Sequence, residues 1–231
     1  MQVGIISDIH GNHYALREVL KEAKQKGIDK LLILGDIVGY YYHPDKVLEL
    51  LSDWDYEIIK GNHEELLEKL YNKKIESNEL IKKYGKGHAE ALKKLNEETL
   101  NWLFSLPVQL VIKIDNVTFQ LNHGSPDNID EYIYPDASLV KLEECNSTLC
   151  DFVLIGHSHY AFTHQCTNSI LINCGSVGQS RQKGGTAYWA TVDTKDKSYM
   201  INKTSYNVSD LLIEVKNYDP DLEYSYKILQ R

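Results

Sequence analysis

The chain has 231 residues, 42% of them hydrophobic and 25% charged, with a formal net charge of -8. That balance is globular, its length suits one α/β domain, and its acidity argues against a simple electrostatic grip on nucleic acid. No run reaches the ~18 apolar residues of a membrane span, and MQVGIISDIHG has neither the basic nor the long apolar region of a secretory leader, so neither is expected.

QVGIIS, apolar and β-branched, reads as the first strand. His13 to Lys26 follows with Leu16, Val19, Leu20 and Ala23 at i, i+3, i+4 and i+7, one face of a helix that stops at Gly27. KLLILGD is a second strand, Pro44 to Leu51 a helix, and YEIIKGNHE a third strand running into a turn. Glu64 to Glu98, charged with recurrent leucine, reads as two or three helical pieces. Beyond Pro107 the pattern becomes strand-rich: VQLVIKI and VTFQLNHG flank Asp115-Asn116, a hairpin signal. A helix over Ala137 to Asn146 precedes the strand FVLIG. AFTHQC and SILINCG flank Thr167-Asn168, TAYWATVD and KSYMINKTSY flank a polar turn at Thr194 to Lys197, and a last helix runs from Ser209 to Asn217. Early β-α-β alternation followed by hairpins predicts an α/β fold with two sheets face to face and helices outside. Without repeats or linkers, residues 1–231 read as a single domain, with a helical insertion at about 64–105 and a C-terminal tail at about 206–231.

The chemistry gathers where strands end. SDIHGN supplies Asp8 and His10, LGDIVG supplies Asp36, KGNHE supplies Asn62 and His63, LNHGS supplies His123, and IGHSHY supplies His157 and His159. Ligands collect beyond the carboxyl ends of strands in α/β sheets, and the neighbouring glycines permit tight turns and close backbone approach. A mixed carboxylate and imidazole set suits Mn, Fe, Zn, Co or Ni. Without thiolates it does not resemble a closed structural zinc site, and it is not an all-oxygen calcium cage. The donors are numerous for one ion. Two ions ~3.5–4 Å apart sharing a carboxylate would use them, a standard arrangement for phosphoester hydrolysis.

The order Asp8-Ile9-His10, Gly35-Asp36, Gly61-Asn62-His63-Glu64, His123-Gly124 and Gly156-His157-Ser158-His159 resembles the calcineurin-like metallophosphoesterase superfamily from residue 3 to about residue 193. GDIVGYYYHPDKV, HGSPDNIDEYIYPD and NCGSVGQSRQ narrow the likeness to its small bacterial and archaeal phosphodiesterases. The resemblance implies a four-layer α-β-β-α sandwich of two mixed sheets. It also implies two divalent transition-metal ions, manganese first. Asp8, His10, Asp36 and His159 would hold one ion, and Asp36, Asn62, His123 and His157 the other, with Asp36 bridging. A hydroxide between the ions would attack phosphorus. His63 would contact a phosphate oxygen and protonate the leaving group, with Glu64 orienting it. Asn12 is expected to touch the substrate, and Arg181 to grip a phosphate.

Several positions depart from that pattern. Asp127 follows HGSP where relatives carry arginine, and Cys174 stands where they carry proline. Cys174 reads as a small packed apolar residue ahead of a redox-sensitive thiol near the cleft. Tyr40, Tyr41 and Tyr42 suit either stacking on a nucleobase or an exposed lid or oligomer contact. His13, His43, His88 and His164 share no spacing with the cage and are read as structural or solvated. Cys145, Cys150, Cys166 and Cys174 form no C-x-x-C pair and are expected reduced, in a cytoplasmic protein.

The expected function is a metal-dependent phosphodiesterase acting on a small nucleotide-type phosphodiester. The alternatives are a phosphomonoesterase or protein phosphatase and a dinucleoside polyphosphate hydrolase. In a different class stands a non-catalytic scaffold, like the retromer subunit that resembles these enzymes. Nucleic acid as substrate is disfavoured but open, no membrane partner is expected, and a homo-oligomer is left open.

Overall fold

The computed structural model describes all 231 residues. In chain order the elements are β1 (Gln2–Ile6), α1 (His13–Gln25), β2 (Lys30–Ile33), α2 (Pro44–Leu51), β3 (Tyr56–Ile58), α3 (Asn62–Tyr71), α4 (Ser77–Tyr84), α5 (Gly87–Lys94), α6 (Glu97–Ser105), β4 (Gln109–Ile114) and β5 (Val117–Asn122). They continue as α7 (Leu139–Glu143), β6 (Phe152–Ile155), β7 (Phe162–Gln165), β8 (Ile170–Asn173), β9 (Thr186–Asp193), β10 (Tyr199–Ser205), α8 (Ser209–Tyr218) and α9 (Glu223–Leu229).

Two mixed five-stranded sheets form, in the orders β10-β9-β1-β2-β3 and β4-β5-β6-β8-β7. Strand periodicity explains how they stack, because successive side chains alternate between faces. Val3, Ile5, Leu32 and Val192 of the first sheet meet Phe119, Leu121, Phe152, Leu154 and Ile172 of the second, making the core between the sheets. The opposite parity, Ile6, Leu31, Ile33, Ala187 and Trp189, packs against the apolar faces of α1, α2, α3, α5 and α6. On the outer face of the second sheet the helical layer thins to α7, whose Leu142 covers Val153, Ile155 and Leu171. The arrangement is the expected α/β sandwich of two mixed sheets.

The Glu64 to Glu98 stretch holds three helices, α3, α4 and α5, within the two or three pieces expected, and α6 begins at its end. Four helices, α3 to α6, span Asn62 to Ser105. The C-terminal segment also folds. Helices α8 and α9 bring Leu211, Val215, Ile228 and Leu229 onto Tyr40, Tyr41 and Tyr42. The Asp219 carboxylate ties this tail down, accepting from the Tyr42 hydroxyl at 2.8 Å and from the Lys86 amide at 3.0 Å.

In the first sheet β1, β2 and β3 run parallel, and in the second β5, β6 and β8 do. The loops after their carboxyl ends carry the donor residues, which fold into one rim.

Candidate metal centre

Asp8, His10 and His159 place ligand atoms within 4.8 Å of one another, and Asp36, His123 and His157 do the same. Asp36 lies between the two groups: its Oδ2 is 3.2 Å from His123 Nε2 and 3.8 Å from His10 Nε2. Asn62 joins the second group, with Oδ1 3.0 Å from His123 Nε2. All seven side chains are buried.

The backbone supports this convergence at a cost. Asp8, His10, Asp36, His157 and His159 all have positive φ, between 51° and 60°. A non-glycine residue held there costs roughly 1–3 kcal/mol, and such strain concentrates where function needs it. Gly39, at φ 129°, lets its turn pass so close that a Cβ would sit 2.6 Å from His63 Nδ1 and 2.7 Å from His10 Nδ1. Glu64 braces the turns. Its Oε2 accepts from the amides of Asp36 and Gly61 at 2.8 Å each, and its Oε1 from Val38 at 3.1 Å. The carboxylate is thus spent on backbone and does not orient His63.

Hydrogen bonding fixes which atoms face inward. Nδ1 of His10, His123 and His159 lies 3.0, 2.7 and 2.6 Å from the carbonyls of Val38, Leu34 and Gln179. A carbonyl only accepts, so each Nδ1 carries a hydrogen and each Nε2 is the nitrogen turned toward the centre. His157 is reversed, with Nε2 3.1 Å from the Asp130 carbonyl and Nδ1 left for the centre. Asp8 Oδ2 accepts from the His157 amide and Asp36 Oδ1 from the His63 amide, while Asp8 Oδ1 and Asp36 Oδ2 are buried without a hydrogen-bond partner.

Acceptors therefore face acceptors. His10 Nε2 is 3.1 Å from His159 Nε2, and His159 Nε2 is 3.1 Å from Asp8 Oδ1. Lone pairs at such separations repel unless a cation lies among them, so the donor set fits divalent metal ions. Between Asp36 and His123 a proton takes the place of a cation in the metal-free protein. Burial opposes a charge on His123, yet the Asp36 carboxylate overrides it and pushes the imidazole up to about 10. His157, without so close a carboxylate, is driven by burial down to about 3.

His63 sits at the edge of this set, its ring 4.8 Å from that of His10. Its Nδ1 lies 3.2 Å from Nε2 of His88, and the two rings stack at 9°. His88 is thus a buried partner of His63, although its spacing in the sequence gave no hint of it. Burial and the neighbouring imidazoles hold His63 well below the ordinary histidine value.

Two further expectations change. Asn12 does not face the cleft. It caps α1, accepting from the Ala15 amide at 3.1 Å and donating to the Gly178 carbonyl and the Tyr206 hydroxyl, so its amide is fully used within the fold. Tyr41 and Tyr42 are buried in the core under the tail and form no exposed lid. Tyr40 is also buried and sets its ring edge-on to His10 at 4.8 Å. Cys174 is fully buried between the sheets, as a packed apolar residue, and burial pushes its thiol well up. Arg181 is placed at the rim, its guanidinium carbon 5.5 Å over the Tyr132 ring, while Asp127 is exposed. A separate group, Glu143, His164 and Cys166, also clusters, but the Glu143 carboxylate is engaged by the amide and hydroxyl of Thr167 as a turn brace.

A family model described as the calcineurin-like phosphoesterase superfamily domain matches residues 1–197. An uncharacterised protein of Methanocaldococcus jannaschii is 32% identical over 239 residues, covering 95% of this chain and 94% of that protein. Two solved structures share the fold. A hypothetical protein of Pyrococcus horikoshii matches with TM-score 0.83 and 24% identity, over 100% of this chain and 98% of its own. A metallophosphoesterase of Sphaerobacter thermophilus matches with TM-score 0.79 and 24% identity, over 99% and 98%.

Proposed function

This chain belongs to the calcineurin-like phosphoesterase superfamily, of hydrolases acting on phosphoester bonds, and on that premise we propose that it is a binuclear phosphodiesterase. The observation that carries the proposal is Asp36 Oδ2, buried and set between the imidazoles of His10 and His123. That is where a carboxylate shared by two cations would stand. Asp8, His10, Asp36 and His159 hold one ion in this reading, and Asp36, Asn62, His123 and His157 the other. Manganese is our first assignment, ahead of Fe, Ni, Co and Zn. When bound, the pair supplies Lewis-acid neutralisation of phosphoryl charge and an activated water.

The protein's own groups do the rest. The carbonyls of Val38, Leu34 and Gln179 lock three imidazoles in the tautomer that presents Nε2. His63 is the general acid. His88 Nε2, beside His63 Nδ1, leaves His63 Nε2 for the leaving oxygen. His63 is neutral in the free protein, and the anionic substrate favours its protonated form on entry. Arg181 forms no salt bridge and its Nε is buried without a hydrogen-bond partner, which suits it to a phosphate oxygen. The substrate class is a small nucleotide-type phosphodiester. We assign the whole chain to one domain, with residues 64–105 as its helical insertion and 206–231 as its tail. We place the protein in the cytoplasm, where its four unpaired cysteines would stay reduced.

The test sets bis-p-nitrophenyl phosphate beside p-nitrophenyl phosphate, with chelator-stripped protein and returned manganese. Metal-restored turnover of the diester is expected. Hydrolysis of the monoester alone would move the assignment to a phosphomonoesterase. No hydrolysis of either with Mn, Ni, Co or Zn would favour a non-catalytic scaffold.

A further inference from the structure

The rim beside the centre carries an aromatic surface that the chemistry above does not use. The Tyr132 ring lies against His157, with centroids 4.0 Å apart. Tyr134 continues outward from it, nearly parallel at 6° and 5.8 Å away, and Tyr160 meets Tyr134 edge-on at 5.9 Å. Tyr132 and Tyr134 are 43% and 38% exposed. Arg181 stands over Tyr132, and its Nε is buried with no partner. Across the rim, Tyr84 packs edge-on to His63 at 4.7 Å and carries Lys83 at 4.8 Å from its ring.

These features answer to one kind of ligand. Flat, exposed rings running outward from the centre offer a stacking face, and every nucleobase has a π-face to match. A guanidinium whose Nε has no partner suits an anion, and the Lys83 ammonium beside Tyr84 is a second cation. An alkyl diester would use the cations and leave the rings bare. Tyr40, Tyr41 and Tyr42 cannot serve as this face because they are buried. We propose that Tyr132 and Tyr134 form a base platform for a nucleoside phosphodiester, with Arg181 holding a phosphate oxygen at its inner end. This proposal rests on the phosphodiesterase reading and names the residues that would recognise the base of its nucleotide-type substrate. Tyr132, which touches His157, also positions that imidazole, so Tyr134 is the cleaner probe.

The experiment compares thymidine 5′-p-nitrophenyl phosphate with methyl p-nitrophenyl phosphate. The two share a leaving group and a charge but differ in the base. The manganese-loaded wild type is expected to prefer the thymidyl ester in KM. Tyr134→Ala is expected to lower that preference by about tenfold or more, the scale of one lost base stack, and Tyr134→Phe to keep it. Arg181→Gln raises KM for both esters by a common factor and leaves their ratio alone. A ratio unmoved by Tyr134→Ala, or a wild type indifferent to the base, overturns the platform. Binding supplies a readout independent of turnover: calorimetry with thymidine 5′-monophosphate and with methyl phosphate. If neither ester is hydrolysed, the phosphodiesterase reading fails. In that case the platform stands if thymidine 5′-monophosphate binds more tightly than methyl phosphate and loses that advantage in Tyr134→Ala, and falls if it does not.

Discussion

Replacing Glu64 tests how the donor turns are held. One carboxylate serves three buried amides: Oε2 takes Asp36 and Gly61, and Oε1 takes Val38. In Glu64→Gln the carbonyl oxygen can replace Oε2 and keep two of these bonds, while the amide NH2 turns a donor against the Val38 N–H. In Glu64→Ala all three amides are orphaned, in a residue only 1% exposed. A hydrogen bond to a charged group contributes ~1.5–3 kcal/mol, so the Gln variant loses roughly that much. The Ala variant loses about 4–9 kcal/mol, with the lower end favoured because the bonds share one turn. For a chain of this size each kcal/mol shifts Tm by about 2–4 °C. Thermal unfolding of metal-free protein should therefore show Gln down by about 3–12 °C and Ala down by at least about 10 °C. Manganese affinity should fall in the same order, because the Asp36 turn slackens. Equal Tm values for the two variants would refute the brace.

His88→Ala should cut kcat by about tenfold to a hundredfold, the usual cost of removing an orienting partner, and most on diesters with poor leaving groups. His88→Gln, whose side-chain amide can pair with His63 Nδ1 in place of the imidazole, should recover much of that loss, and a leaving-group series measures both. Asp219→Ala leaves the Tyr42 hydroxyl and the Lys86 amide unpaired, a loss of about 2–5 kcal/mol. A lower urea midpoint and protease cleavage after residue 206 would report it. Manganese at about 100 times its Kd should stabilise the fold by ~2.7 kcal/mol for each site filled, or about 5–10 °C per site, on a scanning calorimeter. In the metal-free protein Asp36 holds a proton on His123 up to about 10, against the pull of burial. Binding must displace that proton, so affinity rises with pH below that value. Calorimetry in buffers of different ionisation enthalpy would show the proton released.

The parts of this molecule that alternate or repeat locally were readable from the sequence. TAYWATVD became β9 with both ends as expected, and Pro44 to Leu51 became α2, because a β-branched and aromatic run and a proline at the first helical turn are local signals. The donor residues were readable because each closes an apolar run beside a glycine. What escaped depends on contacts distant along the chain. His88 meets His63 only because α5 folds back over α3, and nothing in GKGHAE marks it. Tyr40 to Tyr42 look like an exposed loop until α8 and α9 cover them. Asn12 follows a metal motif, yet it also stands where a helix needs a cap, and the cap took it. Glu64 sits next to His63 in sequence, but the helix that starts at Asn62 turns its carboxylate back to the amides of the preceding turns.

Two ions sharing Asp36 are the core of the proposed centre, and the most direct measurement is manganese bound per chain at saturation, by equilibrium dialysis and elemental analysis of chelator-stripped protein. Two equivalents are predicted for the wild type, with both sites weakened together in Asp36→Ala. A single equivalent in the wild type, or two that survive Asp36→Ala unchanged, would contradict it.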